Sequence, residues 1–139
     1  MPNKYHPFDS RLEHRAVGSA AQTATAVVDT ITQRAAMRTE YRTIVGIEAL
    51  AIDGNDEAYT FVVECSNDSF STIEVAAMVD FGATEVRQSG APDSVAGDTA
   101  EILWSTEVNG TKYKDWRLKC FHAGATSSVT YYAYSTILV

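Results

Sequence analysis

Cys120 and His122 are the pair of side chains in this sequence best spaced for nucleophilic chemistry. Residues two apart on a β-strand point to the same face, so a thiol and an imidazole could meet there. A working nucleophile also needs a group that orients the base and donors for the developing oxyanion, and the sequence offers no motif for either. Packing inside a strand is therefore our interpretation, with no catalytic residue and no enzyme predicted. A cysteine-dependent enzyme is the alternative.

An acidic stretch places oxygen ligands at the spacing of a calcium-binding loop. Asp53, Asn55, Glu57 and Glu64 fall at positions 1, 3, 5 and 12 of such a loop. The glycine required at position 6 is replaced by Ala58, and the second half has the alternation of a strand. An acidic hairpin turn explains the pattern better. Since the two cysteines form no CxxC motif and no histidine lies at ligand spacing, we predict no metal site and no cofactor.

Alternation of apolar and polar residues predicts that the chain from about residue 42 onward is sheet. In YTFVVEC (59–65) the odd positions alternate with the even ones. STIEVAAMVDF (71–81) repeats the pattern, with one side formed by Ile73, Val75, Ala77, Val79 and Phe81. Further strands are predicted in TATAVVDTI, RTIVGIEALAI, AEILWSTEV, KYKDWRLKCF and SVTYYAYSTILV. Asn109-Gly110 is predicted to join residues 102–108 to 112–121 in a hairpin, because both residues tolerate positive φ.

Seven or eight strands with frequent turns and no convincing helix predict an all-β fold, an antiparallel two-sheet sandwich. Jelly roll is favoured over the immunoglobulin fold, because Trp104 and Trp116 follow Cys65 too distantly for a Cys-Trp-Cys signature. Residues 1–22 show no sustained period. We predict an extended N-terminal arm there, with a disordered terminus as the alternative, and a sandwich domain over residues 23–139. A length of 139 residues suits a single domain.

The net charge of −7 is distributed unevenly along the chain. Residues 1–42 carry six basic and four acidic groups, residues 43–110 carry thirteen acids and one base, and residues 111–139 carry four bases and one acid. An acidic body repels nucleic acid, so no nucleic-acid partner is expected. No apolar run reaches the roughly 20 residues of a membrane helix, and the first residues lack a secretory h-region. We therefore expect a soluble protein made in the cytosol, with no membrane partner.

Three stretches of the sequence share residues with a known family. The first leads to a V-D pair, the second has the form S-x-D-x-F, and the third has Y-x-x-x-R-L followed by a Gly/Thr/Ser turn. The matching residues are Gln22, Thr23, Thr25, Asp29, Ser66, Asp68, Phe70, Tyr113, Arg117, Leu118, Gly124, Thr126, Ser127 and Ser128. In this order they resemble the small decoration, or cement, proteins of tailed-bacteriophage capsids. Ala125 is an insertion relative to the family's turn.

The resemblance implies a jelly-roll structural protein of the virion, made in the host cytoplasm, that binds the outer surface of the capsid and stabilises the head. Its partner would be the major capsid protein, and the chain itself would form a homodimer or homotrimer. The arm is expected to lie on capsid subunits through Tyr5, Phe8, Arg11, Leu12 and Arg15. The alternative is that Phe8 and Leu12 cover the domain's own sheet.

Two further surface features leave alternatives open. Tyr131, Tyr132 and Tyr134 could stack on sugar rings, so a carbohydrate-binding sandwich module is the alternative function; such tyrosines also serve as core and interface residues. Three arginines spaced by four, at positions 34, 38 and 42, would line a helix turn, bind acidic neighbours or form a solvated face.

Overall fold

The computed structural model describes residues 12–138, which form two four-stranded sheets and a short hairpin. Sheet A contains, in spatial order, β1 (Glu13–Arg15), β10 (Val129–Ile137), β3 (Glu40–Leu50) and β6 (Thr99–Ser105). Sheet B contains β2 (Ala26–Thr32), β9 (Asp115–Ala123), β4 (Ala58–Ser66) and β5 (Glu74–Gly82). The hairpin pairs β7 (Glu107–Val108) with β8 (Thr111–Lys112). A 3₁₀ turn at Thr84–Val86 interrupts the β5–β6 connection.

Every strand pairing between residues 12 and 138 is antiparallel, and no α-helix occurs in that range. The all-β antiparallel sandwich predicted from the sequence is confirmed. Each sheet combines strands from the two halves of the chain, since β1 and β3 flank β10 while β2 and β4 flank β9. No helix within the described part of the chain is long and apolar enough to cross a membrane.

The core lies between the two sheets, and β4 supplies much of it. Tyr59, Phe61, Val63 and Cys65 are fully buried, as their alternation predicts. Trp116 of β9 is also fully buried, and its ring lies 4.6 Å from that of Trp104 across the sandwich. Truncating a buried tryptophan to alanine costs about 3–5 kcal/mol, so these rings account for a large share of the stability.

A β-bulge in β5 changes which residues face the core. Val63 pairs with Ala77, but its neighbour Glu64 pairs with Val75, so Ala76 is an extra residue in the ladder. Ala76 and Ala77 consequently both pack against the core, while Val75 is exposed. The prediction that Ile73 and Val75 lie on the same side of the strand as Phe81 is wrong for this reason, since alternation holds only within an unbroken register.

The Asn109-Gly110 turn is confirmed, with φ of 52° and 81°, the positive values of a two-residue hairpin. It joins β7 to β8 and not the two long strands on either side. β6 lies in sheet A and β9 in sheet B, so this hairpin belongs to the connection by which the chain passes between sheets.

The segment predicted to be an arm falls into two parts. Residues 1–11 lie outside the described residues. From Leu12 onward the segment packs onto the sandwich: β1 pairs with β10, and the backbone of Gln22 exchanges hydrogen bonds of 2.8 and 2.9 Å with Val129. The sandwich therefore includes structure N-terminal to residue 23.

Candidate functional site

The residues predicted to bind a capsid are only partly within the described range. Tyr5, Phe8 and Arg11 lie outside it. Leu12 is buried in the core cluster. It therefore covers the protein's own sheet, which was the alternative to lying on the capsid. Arg15 donates to the carbonyls of Tyr131 and Ala20, and its guanidinium lies 4.4 Å from the Tyr131 ring centroid. Arg15 thus ties β1 to β10.

Cys120 and His122 share the inward side of β9, as their spacing predicts. Cys120 is fully buried, and burial raises the pKa of its thiol to about 12, so the thiolate is scarce near neutral pH. His122 Nδ1 lies 3.0 Å from Ser127 Oγ, and the ring meets Tyr59 edge to face. Burial also lowers the pKa of His122. Both side chains are engaged in packing and loop contacts.

The acidic residues of the 53–64 stretch do not converge. Glu64 lies on the outer side of β4, where its Oε1 is 2.8 Å from Arg117 Nε. Glu57 points into the loop, accepting hydrogen bonds from Gly54 N at 2.9 Å and Thr126 Oγ1 at 3.0 Å. Within residues 12–138 no group of three histidine, cysteine or acidic side chains is arranged to hold a metal ion.

Glu57 instead joins two connecting loops at one end of the sandwich. Burial acts to raise the pKa of its carboxyl, but hydrogen bonds from the Gly54 N–H and the Thr126 hydroxyl outweigh burial, so the pKa lies below its ordinary value. Gly124 lies against this turn with φ of +94°, and a Cβ there would come within 2.9 Å of the Glu57 Cα. The contact explains why the β9–β10 turn has glycine at this position.

A buried chain of hydrogen bonds, which sequence reasoning missed, crosses the sandwich beside β1. We call it the His14 chain: Asp29, His14, Ser135, Thr43 and Trp104. His14 Nδ1 lies 3.2 Å from Asp29 Oδ2, and His14 Nε2 lies 2.7 Å from Ser135 Oγ. Ser135 Oγ lies 2.7 Å from Thr43 Oγ1, which accepts from Trp104 Nε1 at 2.8 Å. The chain links strands β1, β10, β3 and β6 of sheet A to β2 of sheet B.

The two ends of the His14 chain fix its direction. The Trp104 indole can only donate and the ionised Asp29 carboxylate can only accept. With a neutral imidazole, Thr43 donates to Ser135, Ser135 donates to Nε2, and Nδ1–H donates to the carboxylate. Burial lowers the pKa of His14, and the neighbouring Asp29 opposes this effect only in part. A neutral His14 therefore satisfies every buried polar group of the chain.

Asp29, His14 and Ser135 have the order of groups found in serine hydrolases. Ser135, however, is only 2% exposed, and its hydroxyl is shared between Thr43 and the imidazole. A substrate carbonyl needs open access to such an oxygen, so the geometry is that of a structural connection. No sequence signal could have found it, because His14 is 15 positions from Asp29 and 121 positions from Ser135.

Two outer sheet faces remain as candidate binding surfaces. On sheet A, Tyr132 and Tyr134 lie with parallel rings whose centroids are 6.4 Å apart, and Tyr132 leans over Gly46 so closely that a Cβ there would lie 2.1 Å from its Cζ. Tyr131 points the other way, into the core. On sheet B, apolar side chains are exposed on β2, β5 and β9.

The three arginines at positions 34, 38 and 42 lie on no helix in the described structure. Arg42 forms an ion pair with Glu101 across the β3–β6 ladder at 3.0 Å, and Arg38 contacts Glu40 at 2.7 Å. Arg34 is exposed in the β2–β3 connection. Acidic neighbours and solvent thus account for the three.

A comparison with protein-family models and with curated proteins finds no match to this chain, so its function must be inferred from its own geometry.

Proposed function

We propose that this chain is a structural binding protein that decorates the outside of a tailed-phage capsid and stabilises the head, with the major capsid protein as its partner. The observation that carries the proposal is how the side chains capable of chemistry are used. The Cys120 thiol is buried, Glu57 joins two loops, and His14 with Ser135 connects the sheets. What the fold offers to solvent is rigid sheet surface.

The strand order supports the finer expectation of a jelly roll. If the short β7–β8 hairpin is set aside, eight strands remain in two sheets, with orders β1-β10-β3-β6 and β2-β9-β4-β5. A long antiparallel hairpin rolled up so that its strands alternate between two sheets produces this order. The resemblance to decoration proteins, whose fold is a jelly roll, agrees with it.

A decoration protein acts by linkage, since a ligand that binds only the assembled shell stabilises the shell against dissociation. Attachment at two points on one chain raises the effective affinity further, because the second contact becomes intramolecular. The arm residues Tyr5, Phe8 and Arg11 are the proposed second contact. Leu12 is left out of that contact, because it is part of the core.

The proposal is tested by adding the purified chain to preformed capsid shells of its phage and measuring co-sedimentation and the melting temperature of the shells. We expect attachment and a higher melting temperature. Deleting residues 2–11 should weaken attachment while the circular dichroism spectrum stays unchanged, because the cut stops before Leu12 and His14. A chain that never co-sediments with shells would refute the proposed function, and undiminished attachment by the deletion variant would refute the role of the arm.

A carbohydrate-binding module is the second candidate, favoured by the parallel Tyr132 and Tyr134 rings on the outer face of sheet A. Aromatic rings at a surface are common contacts for ligands with one apolar side. Binding of neutral oligosaccharides, measured by calorimetry and lost in Tyr132→Ala, would support this function. No heat of binding to any glycan of a broad panel would exclude it.

A further inference from the structure

The outer face of sheet B carries a group of apolar side chains that we call the β4 patch: Val27, Val62, Val75, Met78 and Phe121. Four of these side chains are exposed, by 42% for Val27, 47% for Val75, 53% for Met78 and 37% for Phe121. Val27, Val62 and Met78 stand with Lys119 in one row across the four strands, and Phe121 and Val75 lie in the rows on either side of it. Exposed apolar side chains concentrated on one sheet face mark an interaction site.

The outer face of sheet A differs from the β4 patch. Among the described residues, Leu103 at 64% is the large aliphatic side chain that is well exposed there. Its neighbours across the sheet include the Arg42–Glu101 ion pair, and the Tyr132 and Tyr134 rings lie on the same face. The two faces of one sandwich therefore present different chemistry, and Leu103 offers a matched control for substitutions in the β4 patch.

Most charged side chains around the β4 patch are paired within the chain, Asp80 among them at 4.0 Å from Arg87, and Lys119 keeps its charge. Arg117 is paired with Glu64 at 2.8 Å, and the Lys119 ammonium lies 4.6 Å from the Phe121 ring centroid. The acidic excess lies elsewhere, since the loops over residues 51–57 and 83–98 hold six acids and one base. Molecules of net charge −7 repel one another, so copies of this chain can approach best through a face with little net charge.

The size of the face suits a weak but specific dimer. Strands spaced about 4.8 Å apart, with a rise of about 3.3 Å for each of nine residues, give a four-stranded face of about 20 by 30 Å. Two such faces in contact would bury roughly 1,200 Å² in total, just above the roughly 1,000 Å² that a specific interface requires. We expect a dissociation constant in the micromolar range. A buried area near this lower limit leaves little favourable free energy after the loss of translational and rotational freedom on association.

We propose that the outer face of sheet B is the contact between two copies of this chain, related by a two-fold axis that runs between β9 and β4 and parallel to both. This axis places β2 of each copy over β5 of the other and β9 over β4, so Val27 lies over Met78 and the stem of Lys119 lies over Val62. The inference deepens the proposed function, because a homo-oligomer is expected there, but the contact itself needs no capsid.

The test is sedimentation velocity of the full chain at concentrations up to about 200 µM, above the expected micromolar dissociation constant. Wild type should dimerise. Met78→Lys should weaken dimerisation at least about tenfold, since it adds a second cation to a row that already holds Lys119. Leu103→Lys, at an exposed position on the other sheet, should leave it unchanged, and circular dichroism checks that both variants fold.

A wild-type chain that remains monomeric throughout the concentration range overturns the inference. So does a dimer that Leu103→Lys disrupts and Met78→Lys leaves intact, because the contact would then lie on sheet A. The shell-binding assay separates the two proposals. A monomer that attaches to shells refutes the dimer alone, whereas a dimer that never attaches refutes the decoration function alone.

Discussion

Acidification should destabilise this protein through His14. The neutral imidazole accepts a hydrogen bond from Ser135 at Nε2, and this bond depends on the direction of the whole His14 chain. Protonating Nε2 turns the Ser135 proton toward Thr43, whose oxygen then accepts from both Ser135 and Trp104. The Thr43 hydroxyl proton is left with no acceptor in the chain. A buried polar group without a partner costs about 1–3 kcal/mol.

The sign and the pH window follow from the lowered pKa of His14. In the unfolded chain the imidazole binds a proton below about pH 6.5, whereas in the folded protein it does so only at lower pH. Protons therefore favour the unfolded state as pH falls below 6.5, and the stabilisation is present in full above that value. One such histidine can remove at most about 1.4 kcal/mol per pH unit, so the loss between pH 6.5 and 5 should be measurable and stay below about 2 kcal/mol.

The assay is urea denaturation at pH 7.5, 6.5, 5.8 and 5. His14→Gln is the informative variant, because an amide retains one donor and one acceptor and does not titrate. His122→Asn is the control, since burial lowers the pKa of His122 too and its contribution has the same sign. The carboxyls with lowered pKa, such as Asp68 and Asp93, titrate below this window. If His14→Gln loses as much stability as wild type between pH 7.5 and 5, the reasoning is refuted.

Three further predictions concern single positions. Thr43→Val should cost about 2–4 kcal/mol in urea denaturation, because it leaves Ser135 and the Trp104 indole without their buried partner, and a cost under about 0.5 kcal/mol would contradict this. Gly124→Ala should cost at least about 2 kcal/mol, since φ of +94° and the Glu57 contact both disfavour a Cβ; an unchanged midpoint would count against it. Cys120, with its pKa raised to about 12, should react with a thiol reagent at neutral pH only after unfolding, and rapid labelling of the native protein would show that the thiol is accessible.

Much of the fold was predictable because most strands keep an unbroken period of two. The alternation from Tyr59 to Cys65 identifies the inward side of β4 without any knowledge of its neighbours. The turn at Asn109-Gly110 was predictable because its residue types tolerate positive φ. The alternation and the turn residues are both local features, so they can be recognised in a single sequence.

The rest depended on which strands become neighbours. The bulge at Ala76 has no residue type of its own, because alanine fits either side of a strand, and only the pairing with β4 shows the extra residue. The His14 chain requires β1, β2 and β10 to meet at one edge of the sandwich. Nothing near His14 along the chain indicates its partners.

The one-residue bulge in β5 has a consequence for how this surface can change. An added residue exchanges the two sides of a strand. The exposure of Val75 therefore depends on the presence of the extra residue Ala76 and not on the type of any side chain. Inserting or deleting one residue there would exchange the exposed side chains of the strand for the inward ones in one step. Substitutions would have to change each position separately. The exposure of these apolar side chains is therefore set by the number of residues in β5.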